Sequence, residues 1–310
     1  MSDGTVAERI AQAAQLACLL EVSAPKPGNV SPGVAFGDVT YDDFLASAIV
    51  IGPALGDAGN RPLGETVNRA VTATRRWVGA NTNLGIVLLL APLARAAAIH
   101  LTAHSSPTTR TVDAYALRRD LSRVLQDTTV EDARETYAAI RMASPGGLGT
   151  ASEQDVASEP TVTLTEAMRL AADRDGIARE YVTDFQTTFE SALPALQAAR
   201  RDGLAWSDAV VETFLTVLAA STDTHIARRA GDAAADEVTR LARDVVDAGG
   251  VRSETGRAAL GRMHTSLRDD RNSGNPGTTA DITAAAIFVV LLGGGWHASR
   301  ESGGHDAAPR

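Results

Sequence analysis

Apolar residues recur along the chain with the spacing of α-helices. In the first segment, intervals of three and four residues place one stripe at Val6, Ile10, Ala13, Ala17 and Leu20. No run of alternating β-branched residues bounded by hairpin turns stands out. The sequence therefore predicts an all-α fold, with further helices over residues 61–78, 84–101, 112–126, 177–201, 207–221, 233–248 and 254–269.

Helix starts are indicated by the capping box, in which a threonine hydroxyl and an acidic side chain three residues later bind each other's backbone N–H groups. Five segments carry this signature: Thr5–Glu8, Thr40–Asp43, Thr129–Asp132, Thr163–Glu166 and Thr278–Asp281. Because the box satisfies N–H groups that a helix start leaves unpaired, its recurrence supports the helical interpretation.

Clusters of Gly, Pro and Asn separate the helical segments. They lie at Ser23–Gly37, Gly52–Arg61, Gly79–Asn83, Ser144–Pro160 and Asn272–Gly277, and residues 102–111 form a further expected loop. No internal repeat or charged linker divides the chain. We expect a single α-helical catalytic domain over residues 1–298, a multi-helix bundle with its active site built from inter-helix loops, and a disordered tail over 299–310.

The composition narrows the class of protein. Hydrophobic residues make up 44% and aromatic ones 4% of the 310 residues, which suits helix packing better than strands. The net charge of −9 repels nucleic acid and anionic lipid, so neither is an expected partner. No secretory signal or membrane-spanning run stands out, and the lone Cys18 cannot form an internal disulfide. We expect a soluble, cytoplasmic protein, with a homo-oligomer left open.

The break after the first helix is stiff and carries the only lysine of the chain, Lys26. Pro25 and Pro27 push Ala24 and Lys26 into extended conformations, and Gly28 permits a close approach of backbone to a ligand. A lysine ammonium is a compact charge suited to phosphate. The segment predicts either a phosphate-binding platform or a rigid surface turn with a solvated lysine.

Two other breaks run directly into apolar helices. Asn81 and Asn83 precede the run from residue 84, and Asn275 with its neighbouring glycines precede the run that follows Thr278. The free N–H groups of a helix start attract anions, but the same polar residues also serve as simple helix caps. Both interpretations stay open for these segments.

A fourth break contains an unusual concentration of charge. If the chain is helical from Thr224 onward, His225, Arg228 and Arg229 share one face and Asp223 occupies the N-cap position. The cluster is either a polar binding site or a capped helix with solvated charges.

Metal sites of the zinc type are not indicated, because the histidines lack the His-Glu-x-x-His or Cys/His spacing. The glycine-rich segment 144–149 lacks the Lys-Ser/Thr of a phosphate-binding P-loop and is expected to be a flexible loop over a ligand. A metal, if used, is expected to be Mg²⁺ held by aspartate and phosphate oxygens, with Asp223 and Asp281 as candidate ligands.

Taken together, the four breaks resemble the triphosphoribosyl-dephospho-CoA synthase family. The matching segments are Pro25-Lys26-Pro27-Gly28, Asn81-Thr82-Asn83-x-Gly85, Asp223-Thr224-His225 and Asn275-Pro276-Gly277-Thr278-Thr279-Ala280-Asp281. They occur in the family's order, and the resemblance covers roughly residues 5 to 293. It implies a helical enzyme that transfers the triphosphoribosyl group of ATP to the ribose 2′-hydroxyl of 3′-dephospho-CoA, releases adenine and yields a prosthetic-group precursor.

The chain departs from the family pattern at several positions. Asn83 and Leu84 replace the His-Lys pair of the second segment, and His225 stands where an asparagine is usual. Asn275 replaces a serine, and Thr278-Thr279 replaces a small, glycine-containing pair. A divergent member with another acceptor is therefore also compatible with the sequence.

The resulting hypothesis assigns a role to each polar residue. Phosphates are assigned to Lys26, Arg228 and Arg229, and the ribose and base to Asn29, Asn81, Asn83 and Asn275. Gly28 and Thr278 complete the nucleotide-binding set. Asp223 and Asp281 are expected to bind Mg²⁺ or to stabilise the cationic sugar of the transition state, with one of them as a candidate acceptor of the proton from the acceptor hydroxyl. His225 is expected to act as the acid toward adenine.

Two other classes of function remain compatible with the sequence. One is a different ribosyl or phosphoryl transferase, or a nucleosidase, on the same scaffold. The other is a non-catalytic helical protein that binds a nucleotide, in which the motifs are only caps and turns.

Overall fold

The computed structural model describes residues 3–37, 39–103, 111–268 and 273–297. In chain order the helices are α1 Asp3–Ser23, α2 Tyr41–Val50, α3 Gly52–Gly56, α4 Leu63–Arg75, α5 Leu84–Ala103, α6 Ala114–Gln126, α7 Val130–Ala143, α8 Leu164–Ala171, α9 Gly176–Val182, α10 Leu193–Arg201, α11 Trp206–Ala220, α12 Thr224–Ala230, α13 Asp232–Asp247, α14 Glu254–Ser266 and α15 Gly277–Leu292. Short turns of 3₁₀ or π helix lie at Asp57–Asn60, Thr188–Ala192 and Gly250–Arg252. In these ranges there is no β-strand, only the isolated bridges Ser31–Val34 and Phe36–Val39, so the predicted all-α class is confirmed. The predicted tail and most of the loop 102–111 lie outside the described residues.

The capping boxes form at three of the five predicted positions. Thr40, Thr129 and Thr163 each accept from the backbone of the acidic residue three positions on, whose carboxylate binds the threonine N–H. The prediction was wrong for Thr5 and Thr278, because α1 already begins at Asp3 and α15 at Gly277. Both threonines lie inside their helices, where the cap geometry cannot form.

The two most apolar helices, α5 and α15, pack against each other and against α1 at the centre of the molecule. The hydrophobic core contains residues from Val6 to Leu292. Helix α5 is long and apolar enough to cross a membrane, with a mean hydropathy of 2.0, but 83% of this segment is buried inside the protein. Its apolar surface therefore serves the core.

The helix predicted over 177–201 is broken in the structure. Asp184 and Phe185 adopt φ values of 50° and 57°, which end the helical path after α9. The buried Glu180 then accepts from the N–H groups of Thr187 and Thr188, both at 2.9 Å, and from the Thr188 hydroxyl at 2.6 Å. These bonds satisfy N–H groups at the start of the next helical segment, which the apolar periodicity does not reveal.

Within α5, Pro92 has no N–H, so the carbonyl of Leu88 loses its helical hydrogen-bond donor. The hydroxyl of Tyr181 on α9 donates to that carbonyl at 2.7 Å, and the tyrosine side chain is fully buried. This bond joins α9 to the central helix.

Replacing Tyr181 by phenylalanine is expected to lower the free energy of unfolding by about 1–3 kcal/mol, because the Leu88 carbonyl then stays buried and unpaired. Urea unfolding followed by circular dichroism measures the change. Tyr115→Phe is the matched control, since Tyr115 is 86% exposed and its change should stay within about 0.5 kcal/mol. Equal stabilities of the two variants would contradict this role of Tyr181.

Candidate active site

A cleft of about 1860 Å³ opens among the ends of α1, α5, α9, α12 and α15, with α7 and α8 on one side. It exceeds the roughly 300–1,000 Å³ of a pocket for one small ligand. The cleft brings together nine of the predicted residues: Asn29, Asn81, Asn83, His225, Arg228, Arg229, Asn275, Thr278 and Asp281. Lys26, Gly28 and Asp223 are not among its lining residues.

Asp281, in the second turn of α15, lies on the floor of this cleft. Its carboxylate lies directly against the backbone of α5 at Gly85, where an added Cβ would collide with Oδ2. In the described part of the chain, no hydrogen bond or ion pair to the Asp281 carboxyl is found. Gly85 therefore makes room for a carboxyl group that faces the cleft.

The surroundings of Asp281 disfavour its negative charge. Burial raises the pKa of Asp281 well above its usual range, and the carboxylates of Glu21, Asp223 and Asp175 raise it further, against a smaller opposite effect of Arg228. A cation bound beside the carboxyl group would reverse this shift, because an opposite charge favours the carboxylate. The position is therefore suited to a bound or developing positive charge.

Asp223 has a different environment from the one expected for a metal ligand. Its Oδ1 accepts from the N–H groups of His225 and Ile226, at 2.9 and 3.2 Å, as the N-cap of α12. Its Oδ2 accepts from the N–H and hydroxyl of Thr279, at 2.8 and 2.7 Å. Both oxygens are thus occupied, and the residue is buried. Asp223 connects α12 to α15, so of the two predicted metal ligands only Asp281 has its carboxylate available to a ligand.

His225 faces the cleft from the first turn of α12. Its Nδ1 lies 2.9 Å from the carbonyl oxygen of Asn275, so Nδ1 must carry the proton of this bond. Burial lowers the pKa of His225, and Arg228 and Arg229 add to the effect, while Asp223 and the Asn275 carbonyl oppose it. The neutral ring then presents an unprotonated Nε2, which suits a base better than the acid expected from the sequence.

Lys26 does not form the exposed phosphate platform that the stiff segment suggested. The residue is fully buried, and its ammonium lies 2.9 Å from Glu21 Oε1. It also donates to the carbonyl oxygens of Glu21 and Ala24. All three N–H donors are therefore used inside the protein, because the prolines fold the segment back onto the end of α1 rather than outward.

The glycine that ends this segment, Gly28, has a structural role. Gly28 adopts a φ of 75°, and a Cβ there would lie 2.8 Å from the carbonyl oxygen of Gly274. The positive φ and the close contact both require glycine, and the contact brings the first and last of the four segments together. Asn29 then donates to the Oδ1 of Asn275 across the same junction.

The remaining predicted residues shape the cleft through short polar contacts. Asn81, not Asn83, caps α5, with Oδ1 accepting from the Leu84 N–H at 3.1 Å. Asn83 donates to the Thr74 hydroxyl at 3.1 Å. The hydroxyls of Thr278 and Thr224 lie 3.0 Å apart. These contacts hold the helix ends, so any ligand contact by these side chains comes in addition to a structural role.

Arginine side chains form one wall of the cleft, and the sequence motifs do not indicate all of them. Arg228 binds Asp175 at 3.2 Å, and Arg229 lies beside it on α12. Arg174, just before α9, is exposed and lines the cleft, and its guanidinium makes no hydrogen bond or ion pair within the described ranges. No motif surrounds Arg174 in the sequence, since its place at the cleft depends on how α8 and α9 meet.

Glu21 was missed as well, although a signal was present. It follows Ala17 by one helical turn, on the apolar stripe of α1, and it lines the cleft while its side chain is only 5% exposed. A charged residue on an apolar stripe requires a partner, and the only lysine of the chain lies five positions further on. The pairing of Glu21 with Lys26 was therefore within reach of the sequence.

Residues 7–300 match the protein family described as ATP:dephospho-CoA triphosphoribosyl transferase. The chain belongs to this family. Membership confirms the resemblance of the four segments and identifies the protein as a transferase enzyme.

Individual relatives agree with the family match. The 2-(5″-triphosphoribosyl)-3′-dephosphocoenzyme-A synthase of Klebsiella pneumoniae is 31% identical over 38% of this chain and 42% of its own length. A probable synthase of the same name from Pseudomonas savastanoi pv. phaseolicola is 26% identical over 92% of this chain and 91% of its own. The chain thus aligns with less than half of the length of the Klebsiella protein and with nearly all of the length of the Pseudomonas protein.

A solved structure of similar fold comes from Archaeoglobus fulgidus and is described as a triphosphoribosyl-dephospho-CoA synthase. It superimposes with a TM-score of 0.60 at 27% sequence identity, covering 82% of this chain and 100% of that chain. The helical fold is therefore that of the transferase family.

Proposed function

We propose that this family member transfers the triphosphoribosyl group of ATP to the ribose 2′-hydroxyl of 3′-dephospho-CoA and releases adenine. The observation that carries the proposal is the family match over residues 7–300, combined with a cleft that has an arginine wall beside a carboxyl floor. The cleft volume of about 1860 Å³ leaves room for a donor and an acceptor nucleotide together.

The triphosphate is assigned to the arginine wall. Arg174, Arg228 and Arg229 supply guanidinium groups there, and bidentate bonds from guanidinium to phosphate oxygens are strong and directional. Lys26 is omitted from this set, because its ammonium is buried against Glu21. Phosphate binding is therefore assigned to the α8–α9 turn and α12 rather than to the proline-rich segment.

The transfer breaks the bond between ribose C1′ and the adenine nitrogen and forms a bond from C1′ to the 2′-oxygen of the acceptor. The proton of that hydroxyl passes to Nε2 of His225, which the Asn275 carbonyl keeps in the correct tautomer. The departing adenine takes a proton from solvent in the open cleft. Between the breaking of the bond to adenine and the forming of the bond to the acceptor oxygen, the ribose carries positive charge. The Asp281 carboxylate stabilises this charge.

Mg²⁺ is part of the proposal as the ion that accompanies ATP. In the described part of the chain, no three His, Cys, Asp or Glu side chains are grouped closely enough to hold a metal by themselves. Asp281 fits as a single carboxylate ligand, because Mg²⁺ commonly combines one or two carboxylates with substrate phosphates and water. When bound, the ion neutralises charge on the triphosphate.

A cytoplasmic location also belongs to the proposal, since the most apolar helix is buried in the core.

Purified protein incubated with Mg-ATP, with and without dephospho-CoA, should release adenine only when the acceptor is present. Chromatography would show adenine together with a heavier CoA derivative, whose mass identifies the transferred group. Adenine in both samples would instead indicate a nucleosidase. No adenine in either sample, from protein that binds ATP, would overturn the proposed reaction.

A further inference from the structure

The carboxylate of Glu21 is held in a fixed orientation at the end of α1. The Lys26 ammonium binds its Oε1 at 2.9 Å, and the same ammonium donates to the carbonyl oxygens of Glu21 and Ala24. Since the lysine is fully buried, this arrangement cannot rotate freely. One carboxylate oxygen is therefore committed to the protein and the other is free to meet a ligand.

That second oxygen belongs to a residue of the cleft wall. Glu21 lines the cleft, and no hydrogen bond to Oε2 is found among the residues that the structure describes. A nearly buried carboxylate oxygen without a donor is costly unless a ligand or water supplies one. The position consequently calls for a donor from the cleft side.

A second hydrogen-bond acceptor without a hydrogen-bond donor lies in the same wall of the cleft. Asn29 lines the cleft, its N–H donates to the carbonyl oxygen of Lys26 at 3.2 Å, and its side-chain amide donates to Asn275. Its Oδ1 is buried and has no hydrogen-bond partner in the described ranges. Lys26 thus anchors both residues, and each contains a hydrogen-bond acceptor without a donor in the described ranges.

We propose that Glu21 and Asn29, positioned by Lys26, bind the ribose hydroxyls of the donor nucleotide. This inference rests on the proposed function, in which ATP is the donor. The hydroxyls are the O–H donors of a nucleoside triphosphate, and a carboxylate is an effective acceptor for a ribose diol. Phosphate is a poor occupant, because a carboxylate and an unpaired amide oxygen repel it.

The first test changes the ligand and leaves the protein intact. Calorimetric titration of the wild-type protein with ATP, 2′-deoxy-ATP, 3′-deoxy-ATP and tripolyphosphate compares ligands that differ in these hydroxyls. We expect at least one deoxy analogue to bind roughly 10- to 100-fold more weakly than ATP, as for loss of a hydrogen bond to a charged group. Equal affinity of ATP and both deoxy analogues would overturn the inference.

The second test changes the carboxylate. In Glu21→Gln, the amide oxygen is expected to keep the bond from Lys26, which turns the NH₂ group toward the cleft, where it cannot accept. The variant should bind ATP and the sensitive deoxy analogue with similar affinity, while binding of tripolyphosphate stays unchanged. Glu8→Gln is the matched control, because Glu8 is exposed on the same helix and the substitution is identical.

The outcomes separate this inference from the proposed function. Wild-type protein that binds no ATP would overturn both. Protein that binds ATP and releases adenine, but whose preference for ATP over the deoxy analogue survives Glu21→Gln, would overturn only the role of Glu21. Loss of that preference in Glu21→Gln but not in Glu8→Gln is the expected result.

Discussion

Replacing Lys26 by methionine is expected to lower the free energy of unfolding by about 3–5 kcal/mol, a large fraction of the stability of a typical domain. The substitution leaves the Glu21 carboxylate nearly buried without its ammonium, only 5% exposed. It also removes the donor from the carbonyl oxygens of Glu21 and Ala24. Removing one partner of a buried ion pair costs more than the pair itself contributes, because the remaining charge is left uncompensated.

Denaturant unfolding of the variant measures this change, and two comparisons isolate its cause. The double variant Lys26→Met/Glu21→Gln removes both charges and should recover much of the lost stability. Arg257→Met breaks an exposed ion pair with Asp208, formed at 2.7 Å, and should cost no more than about 1 kcal/mol. A single variant as stable as Arg257→Met would show that the buried pair contributes no more than an exposed one, and would contradict this structural role of Lys26.

The helices were predictable because their signals are local. The apolar spacing and the boxes at Thr40, Thr129 and Thr163 depend on residues within one or two turns. The break after α9 was not predictable, since it depends on Phe185 turning into the core at a positive φ and on Glu180 reaching forward to the next segment. The local pattern across 177–201 is equally compatible with one continuous helix.

The candidate site was predictable as a set of loops but not in the roles of its charges. A motif indicates which residues gather, whereas burial decides what each can do. Lys26 and Asp223 both satisfy their hydrogen-bonding groups inside the protein, although charge and spacing alone suggested contact with ligand. Arg174 is the opposite case, a side chain without a motif that the packing of α8 and α9 brings to the cleft.

Replacing Asp281 by asparagine is expected to lower kcat by about 100- to 1,000-fold while ATP still binds. The substitution keeps the shape of the side chain but removes the negative charge that faces the cationic ribose in the proposed reaction. Adenine release measured at saturating ATP and dephospho-CoA gives kcat, and calorimetry gives ATP affinity. An unchanged kcat would remove Asp281 from the chemistry.

Gly85→Ala tests the same carboxylate without changing it. In a helix this substitution normally adds up to about 1 kcal/mol of stability, but here the new Cβ would collide with Asp281 Oδ2 and must displace the carboxylate. The matched control is Gly261→Ala in α14, where a Cβ meets nothing within 4 Å. Gly261→Ala should keep full activity and gain stability, whereas Gly85→Ala should lose activity in the same direction as Asp281→Asn.

Comparing Gly85→Ala with Asp281→Asn distinguishes a requirement for the position of the Asp281 carboxylate from a requirement for its charge alone. If Asp281 acts only through its charge, a displacement by the Gly85 methyl group should cost little, since Coulomb energy varies as 1/r and a shift of about 1 Å from about 4 Å changes it by only about a fifth. If Asp281 must lie at a defined place beside the reacting carbon, both Gly85→Ala and Asp281→Asn should lower kcat. We expect the second result, because the backbone of α5 approaches the carboxylate so closely that only glycine fits. Such a close fit fixes the direction in which Asp281 faces the cleft.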